Sequence, residues 1–113
     1  MSQRGADAEA MAAAFLKLKG LEVVERNYRC RLGEIDLIAQ DGRTTVFVEV
    51  RQRASSAFGG AAASITATKK RRLIRAARYY ISRLRTTPPC RFDALLIEGD
   101  PPRIAWIRDA FGE

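Results

Sequence analysis

The chain contains no histidine among its 113 residues. This absence excludes Ser-His-Asp triads, histidine-dependent nucleases and most zinc sites, because each of these needs an imidazole as base or ligand. Cysteine is almost as scarce, and Cys30 and Cys90 are isolated in the sequence and form no CxxC pair. The two could form one disulfide bridge, but we expect two free thiols in a reducing cytoplasm.

Long apolar runs are also missing. No stretch approaches the roughly 20 apolar residues of a membrane span, and the start MSQRGADAEAM lacks the apolar segment of a secretion signal. A composition of 47% hydrophobic and 29% charged residues is typical of a globular protein. We therefore expect a single domain over residues 1–113, located in the cytoplasm and not in a membrane.

Acidic residues are absent from residues 50–92, which contain eleven Lys or Arg. The net charge of the whole chain is +7, so the rest of the sequence has nine basic residues against all thirteen acids. A basic block beside an acidic remainder indicates a polyanionic partner, with nucleic acid first and an anionic membrane surface second. The alternative is a solvated helix face that binds nothing.

Hydrophobic periodicity predicts the element order α-β-β-β-α-β-β, an α/β fold with a mixed sheet of about five strands flanked by helices. The first helix covers 5–19 and ends before Gly20, with its buried stripe at Ala10, Met11, Ala14, Phe15 and Leu18. The second covers roughly 66–85, with its stripe at Leu73, Ala76, Ala77, Tyr80, Ile81 and Leu84. Strands are expected near 21–29, twice within 33–53, and at 91–99 and 103–111, with a mobile connection over 54–68.

Asp36 and Glu49 lie in the two most apolar runs of the chain, on either side of an Asp-Gly turn signal at 41–42. A two-residue loop would place Asp36 opposite Phe47, whereas a four-residue loop would place it opposite Glu49. Both registers put the two acids on one face, because side chains alternate along a strand. Two carboxylates about 5 Å apart repel each other by about 3 kcal/mol at an effective dielectric constant of about 20. A neighbouring positive charge is therefore required.

Strict alternation divides the hairpin into a core face and a charged face. The core face would contain Ile35, Leu37, Ala39, Val46, Val48 and Val50. The charged face would contain Glu34, Asp36, Ile38, Phe47, Glu49, Arg51 and Arg53. Two interpretations of the charged face remain open: ion pairing of the acids with Arg51 and Arg53, or a divalent cation such as Mg²⁺ or Mn²⁺ held by both carboxylates.

Asp36 on one strand and Glu49-Val50-Arg51 on the next resemble the D…(D/E)xK core of the PD-(D/E)xK nuclease superfamily. GEIDLIA, TTVFVEVRQR, FGGAAASITATKK, RFD and AWIRDAF resemble the YraN family of small bacterial proteins, which are similar to archaeal Holliday junction resolvases. The resemblance covers residues 5–111. It implies a restriction-endonuclease-like fold and, because resolvases act as dimers, a homodimer in which 54–64 could lie at the interface.

The resemblance also implies roles for individual residues. Asp36 and Glu49 would hold Mg²⁺ or Mn²⁺, with the Val50 carbonyl and, through water, Glu9 as further ligands. The alternative for Glu9 is a surface glutamate near a helix N-terminus. Arg51 takes the position of the superfamily's lysine, but arginine stays protonated and cannot act as a base.

The basic residues of the second helix are the candidates for phosphate contacts. Lys69 could supply the ammonium group that Arg51 lacks, or could contact phosphate, or could be only solvated. The expected nucleic-acid contacts are Arg53, Lys69, Lys70, Arg71, Arg75 and Arg78. Three functions follow: a metal-dependent endonuclease on branched or structured DNA, a nucleic-acid-binding module with a weak or inactive site, and a protein that binds another protein or a lipid surface through its basic helix.

Overall fold

The computed structural model describes residues 3–53 and 65–111, and side chains from residue 7 onward. Helix α1 spans Gln3–Leu18 and helix α2 spans Ala67–Ser82. The strands are β1 Glu22–Cys30, β2 Gly33–Asp41, β3 Thr44–Arg53, β4 Cys90–Glu98 and β5 Arg103–Phe111. The predicted α/β class and element order are confirmed. Of the predicted connection over 54–68, residues 54–64 lie outside the described residues and 67–68 belong to α2.

The five strands form one mixed sheet in the order β1-β2-β3-β4-β5. Strands β1, β2 and β3 are antiparallel neighbours, β4 runs parallel to β3 after α2, and β5 is antiparallel to β4. Each helix packs on its own face of the sheet, because successive residues of β3 belong to two different hydrophobic clusters. Val46 and Val48 pack with α1, and Phe47 packs with α2. Both faces of the central strands are therefore buried.

Helix α1 ends in a Schellman motif at Gly20, as the sequence predicts. Gly20 has a φ of +94°, its N–H donates to the Lys17 carbonyl, and the Leu21 N–H donates to the Leu16 carbonyl. The predicted stripe of this helix is right for Met11 and Phe15, which pack against the core, and wrong for Ala10 and Ala14, which are exposed. Its buried residues are Ala8, Glu9, Ala12 and Leu16, whereas Leu18 is 87% exposed.

Helix α2 begins after the N-cap Thr66, whose hydroxyl accepts a hydrogen bond from the Lys69 N–H. Its buried residues are Leu73, Ala76 and Ala77, with Tyr80 and Ile81 partly buried against the same cluster. The predicted stripe is confirmed except for Leu84, which lies beyond the end of the helix and is 38% exposed. The opposite side of α2 carries basic side chains toward solvent.

Candidate functional site

Asp36 lies where β2 separates from β3. The two strands pair from Asp41–Thr44 to Leu37–Val48, so the observed register is the one that points Asp36 toward Glu49. The pairing ends there, and the Asp36 Oδ2 accepts a hydrogen bond of 2.8 Å from the Val50 N–H. At this point the Val50 N–H therefore bonds a side-chain carboxylate and not a backbone carbonyl of β2. The regular pairing stops, and a gap opens between the two strands.

The alternation of β2 side chains is broken at the same residue. Ile35 and Ile38 both pack on the α2 face, whereas Leu37 and Ala39 pack on the α1 face. Ile35 was predicted to share a face with Leu37, but it is buried on the other face of the sheet, beneath α2. Ile38 and Phe47 were predicted on the charged face, but both are fully buried beneath α2. The physical reason is the Asp36 side chain, which turns into the gap to meet the Val50 amide.

Glu49 and Asp36 form a hydrogen-bonded pair of carboxyl groups. Burial, followed by the charge of Asp36, raises the pKa of Glu49 to about 8, although Arg51 acts in the opposite direction. Burial also raises the pKa of Asp36, against the hydrogen bond from Val50 and the charge of Arg51. The two carboxyl groups therefore share one proton near neutral pH, which removes most of their mutual repulsion.

Glu9 approaches this pair from α1 and is buried, with 8% of its surface exposed. Burial, and then the charge of Asp36, raises its pKa, while a hydrogen bond with Asn27 lowers it. Asn27 has a φ of +53° and lies across from Asp36 in the β1–β2 register. The alternative of a surface glutamate is therefore wrong. Even so, no three carboxyl or thiol groups of the described residues form a cluster of the kind that holds a metal ion.

A pocket of about 120 Å³ opens beside Glu49. It is lined by Glu34, Glu49, Arg51, Lys69 and Arg72. The Arg51 guanidinium forms an ion pair with Glu49, which confirms that part of the expected ion pairing. Its Nε atom is buried and has no hydrogen-bond partner among the described residues.

Gly33 explains how α2 reaches this pocket. A Cβ atom at position 33 would lie 2.2 Å from the backbone oxygen of Arg72, so only glycine lets the helix backbone approach β2 so closely. This contact places Arg72, and Lys69 one turn earlier, beside the carboxyl pair. Arg72 is a pocket residue that the sequence interpretation missed. Its spacing of three residues from Lys69 was the signal, because residues i and i+3 share a helix face.

The remaining predicted phosphate contacts are not in the pocket. Arg53 is exposed at the end of β3, and the Lys70 ammonium lies 5.7 Å from the centre of the Phe111 ring. Arg71 bonds Thr68 through its guanidinium. Arg75 and Arg78 are exposed farther along α2. Of the predicted contacts, the structure brings Lys69 to the carboxyl pair and leaves the other five on the surface around it.

Two other sequence predictions bear on the kind of site this is. Cys30 and Cys90 are both free thiols, as expected. In the part of the chain that the structure describes, no helix is long and apolar enough to span a membrane.

Comparison with known proteins agrees with the resemblance found in the sequence. The model of a family described as "Uncharacterised protein family UPF0102" matches residues 8–97, a range that contains Glu9, the carboxyl pair and the pocket. A UPF0102 protein of Nitrosomonas europaea is 59% identical over 97% of this chain and 94% of its own length. Another, of Methylobacillus flagellatus, is 54% identical over 98% of both chains. The chain belongs to UPF0102, the YraN family.

Proposed function

We propose that this protein binds branched or otherwise structured DNA and hydrolyses its phosphodiester bonds with Mg²⁺ or Mn²⁺ held by Asp36 and Glu49. The observation that carries the proposal is the hydrogen-bonded pair of carboxyl groups at the gap between β2 and β3, of which Glu49 is buried and Asp36 is partly buried. Buried acids with strongly shifted pKa values beside a cationic pocket are typical of functional sites. A purely structural pair would be replaced at lower cost by apolar residues.

The donor set at this point fits a hard divalent cation. Two carboxyl groups offer oxygen ligands, and a cation would replace the proton that they share. Because Glu9 does not complete a three-carboxylate cluster, the remaining ligands would be water, phosphate oxygens and the Val50 carbonyl. Mg²⁺ suits this arrangement, since it commonly keeps several waters and takes only one or two carboxylates from the protein. The ligand roles of Val50 and Glu9 stay predictions.

The residues of the site would have separate roles in the reaction. A bound divalent cation supplies charge stabilisation at the scissile phosphate and activates water. Asp36 and Glu49 hold it in place, and the Val50 amide fixes the orientation of Asp36. Arg51 and Lys69 line the pocket beside the pair and would donate charge-assisted hydrogen bonds to the phosphate oxygens. Arg51 stays protonated and acts as a donor, not as a base.

The second candidate is a nucleic-acid-binding module with this fold and a weak or inactive site. The observation that favours it is the ion pair between Arg51 and Glu49, in which the arginine already occupies a carboxylate that a cation would need. The two candidates share the basic surface of α2 and differ only in whether the carboxyl pair takes up a cation.

Cleavage assays decide between these candidates. The wild type should cut four-way junctions or flapped duplexes in Mn²⁺ or Mg²⁺, whereas Asp36→Asn and Glu49→Gln should reduce the rate by about a hundredfold or more. Both substitutions keep the size of the side chain and should leave DNA binding intact. Glu34→Gln is the matched control, because Glu34 also lines the pocket but is exposed. A wild type that cuts none of these substrates would support the binding module.

The Arg51→Lys variant tests whether Arg51 is the cause of a low cleavage rate. Lysine at position 51 matches the superfamily's D…(D/E)xK pattern. The substitution also removes the branched guanidinium that pairs with Glu49. We expect the variant to cleave at the wild-type rate or faster. Cleavage by the variant alone would identify the arginine as the cause of a silent wild type.

A further inference from the structure

We propose that Arg51, Lys69 and Arg72 form a binding site for one phosphoryl group, and that this site fills without a divalent cation. The site deepens the proposed function, and only the identity of its natural ligand, a backbone phosphate of nucleic acid, rests on that function. Arg72 is its new member, and it enters the site from α2.

The charges around the pocket favour an anion. Three of its five lining residues are cations and two are acidic, so the lining has an excess of positive charge. Glu49 pairs with Arg51, and Glu34 lies 3.6 Å from the guanidinium of Arg29.

The cations of α2 remain available to a ligand. The side chains of Lys69 and Arg72 form no hydrogen bond or ion pair with another residue of the described ranges. The helix N-terminus itself is not the site, because the Thr66 hydroxyl already takes the Lys69 amide.

The side chain of Arg51, which lines the pocket, gives independent support. The Nε atom of Arg51 is buried without an acceptor from the described part of the chain, while an Nη2 atom of the same group binds Glu49. Buried polar groups in proteins nearly always have a partner. A tetrahedral oxyanion in the pocket offers several acceptors at once and suits a guanidinium next to a second guanidinium and an ammonium group.

Gly33 shows that this arrangement depends on close backbone contact. Because the Arg72 carbonyl lies where a Cβ atom of residue 33 would be, α2 is held against β2 at the level of the pocket. Lys69 and Arg72 lie one turn apart on that part of the helix, so both side chains extend from backbone that this contact holds beside the pocket.

The test is titration with inorganic phosphate in the presence of EDTA, followed by amide chemical shifts of the intact chain. Arg72→Gln and Lys69→Gln should each weaken phosphate binding by about tenfold, the effect of losing one charge-assisted hydrogen bond. Lys17→Gln is the matched control, since Lys17 is exposed on α1, on the opposite face of the sheet. Its affinity should stay within about twofold of the wild type, and Arg72→Lys should retain part of the affinity.

The outcomes separate this site from the proposed function, because EDTA removes the cations that cleavage needs. Phosphate binding that depends on Arg72 in a protein that never cleaves DNA would support the site and refute the nuclease. Equal phosphate affinity in the wild type, Arg72→Gln and Lys17→Gln would overturn the site, as would a wild type that binds no phosphate, whatever the cleavage assay shows.

Discussion

Glu49 is the residue at which this fold most strongly suppresses ionisation. Its side chain is 9% exposed, and its carboxyl group shares a proton with Asp36. The proximity of the two acids was expected from the sequence, because both possible hairpin registers put them on one face. The protonation of the pair was not expected from the sequence. It results from burial, which depends on α2 and on the gap beside Asp36, and strand alternation describes neither of these.

Protonation of this pair predicts the pH dependence of stability. The pKa of Glu49 is raised from its ordinary value of 4.5 to about 8, and that of Asp36 is also raised. The folded state therefore binds protons that the unfolded chain has released, so the free energy of unfolding should fall as pH rises from about 4.5 to about 8. The slope for one such group is at most about 1.4 kcal/mol per pH unit.

Urea denaturation of Glu49→Gln at pH 5 and at pH 8.5 measures this effect. The amide keeps a hydrogen-bond donor toward Asp36 and cannot ionise, so the variant should be more stable than the wild type at pH 8.5 and nearly equal to it at pH 5. The exposed Glu34→Gln should keep the wild-type slope. Equal slopes in all three proteins would show that the carboxyl pair is not protonated in the folded state.

Asp93 is another buried acid, and its hydrogen bonds are made within the fold. It is fully buried and accepts hydrogen bonds from the Arg91 Nε, the Trp106 Nε1 and the Asp109 backbone N–H. Asp93→Ala would leave these donors without a partner in the interior, so we expect a loss of about 3–5 kcal/mol in unfolding free energy. Thermal denaturation would measure it, with the exposed Glu22→Ala as control. A loss below about 1 kcal/mol would contradict this role.

At the level of elements, turn and cap signals located the helices and strands well. Gly20 was expected to end α1 and does so through local hydrogen bonds, whereas Thr66 caps α2 but was not identified as a cap in the sequence. The complete buried face of α1 could not be predicted, because alanines surround this helix and that face includes Glu9, which hydrophobic periodicity would place outside. The break in β2 was also hidden, since it depends on a hydrogen bond from Asp36 to a residue fourteen positions away.

The contact between Gly33 and α2 predicts the effect of a single methyl group. Gly33→Ala would place Cβ 2.2 Å from the Arg72 oxygen and 2.8 Å from its carbonyl carbon, so the helix backbone would have to move. We expect a loss of about 1–3 kcal/mol in unfolding free energy, typical of overpacking, together with weaker phosphate binding. Gly42→Asn is the control, because Gly42 has a φ of +62° with open space around it and asparagine tolerates that backbone. Unchanged stability of Gly33→Ala would refute the tight contact.

At the scale of the whole molecule, the sheet separates two differently charged helices. The exposed side of α2 is basic, whereas α1 lies on the opposite face, with Lys17 in its last turn and Lys19 just beyond its end. The sequence showed the concentration of positive charge but not that it surrounds the carboxyl pair. That relation depends on the parallel β3–α2–β4 connection, which returns the helix across the strand that carries Glu49.

Charge reversal on the two helices tests the basic surface. Arg71→Glu with Arg75→Glu should weaken DNA binding and reduce the slope of log affinity against log salt by about 2, roughly one counterion for each lost phosphate contact. Lys17→Glu with Lys19→Glu changes the net charge equally on the other face and should have a much smaller effect on the slope. Equal effects of the two double variants would show that DNA responds only to net charge.

We propose that the carboxyl pair exchanges its proton for a divalent cation. Calorimetric titration with Mn²⁺ near pH 7, repeated in buffers of different ionisation enthalpy, measures the binding and the proton release together. We predict one site that releases about one proton per Mn²⁺ in the wild type and is lost in both Glu49→Gln and Asp36→Asn. A wild type that binds no Mn²⁺, or whose binding survives in Glu49→Gln, would contradict the account.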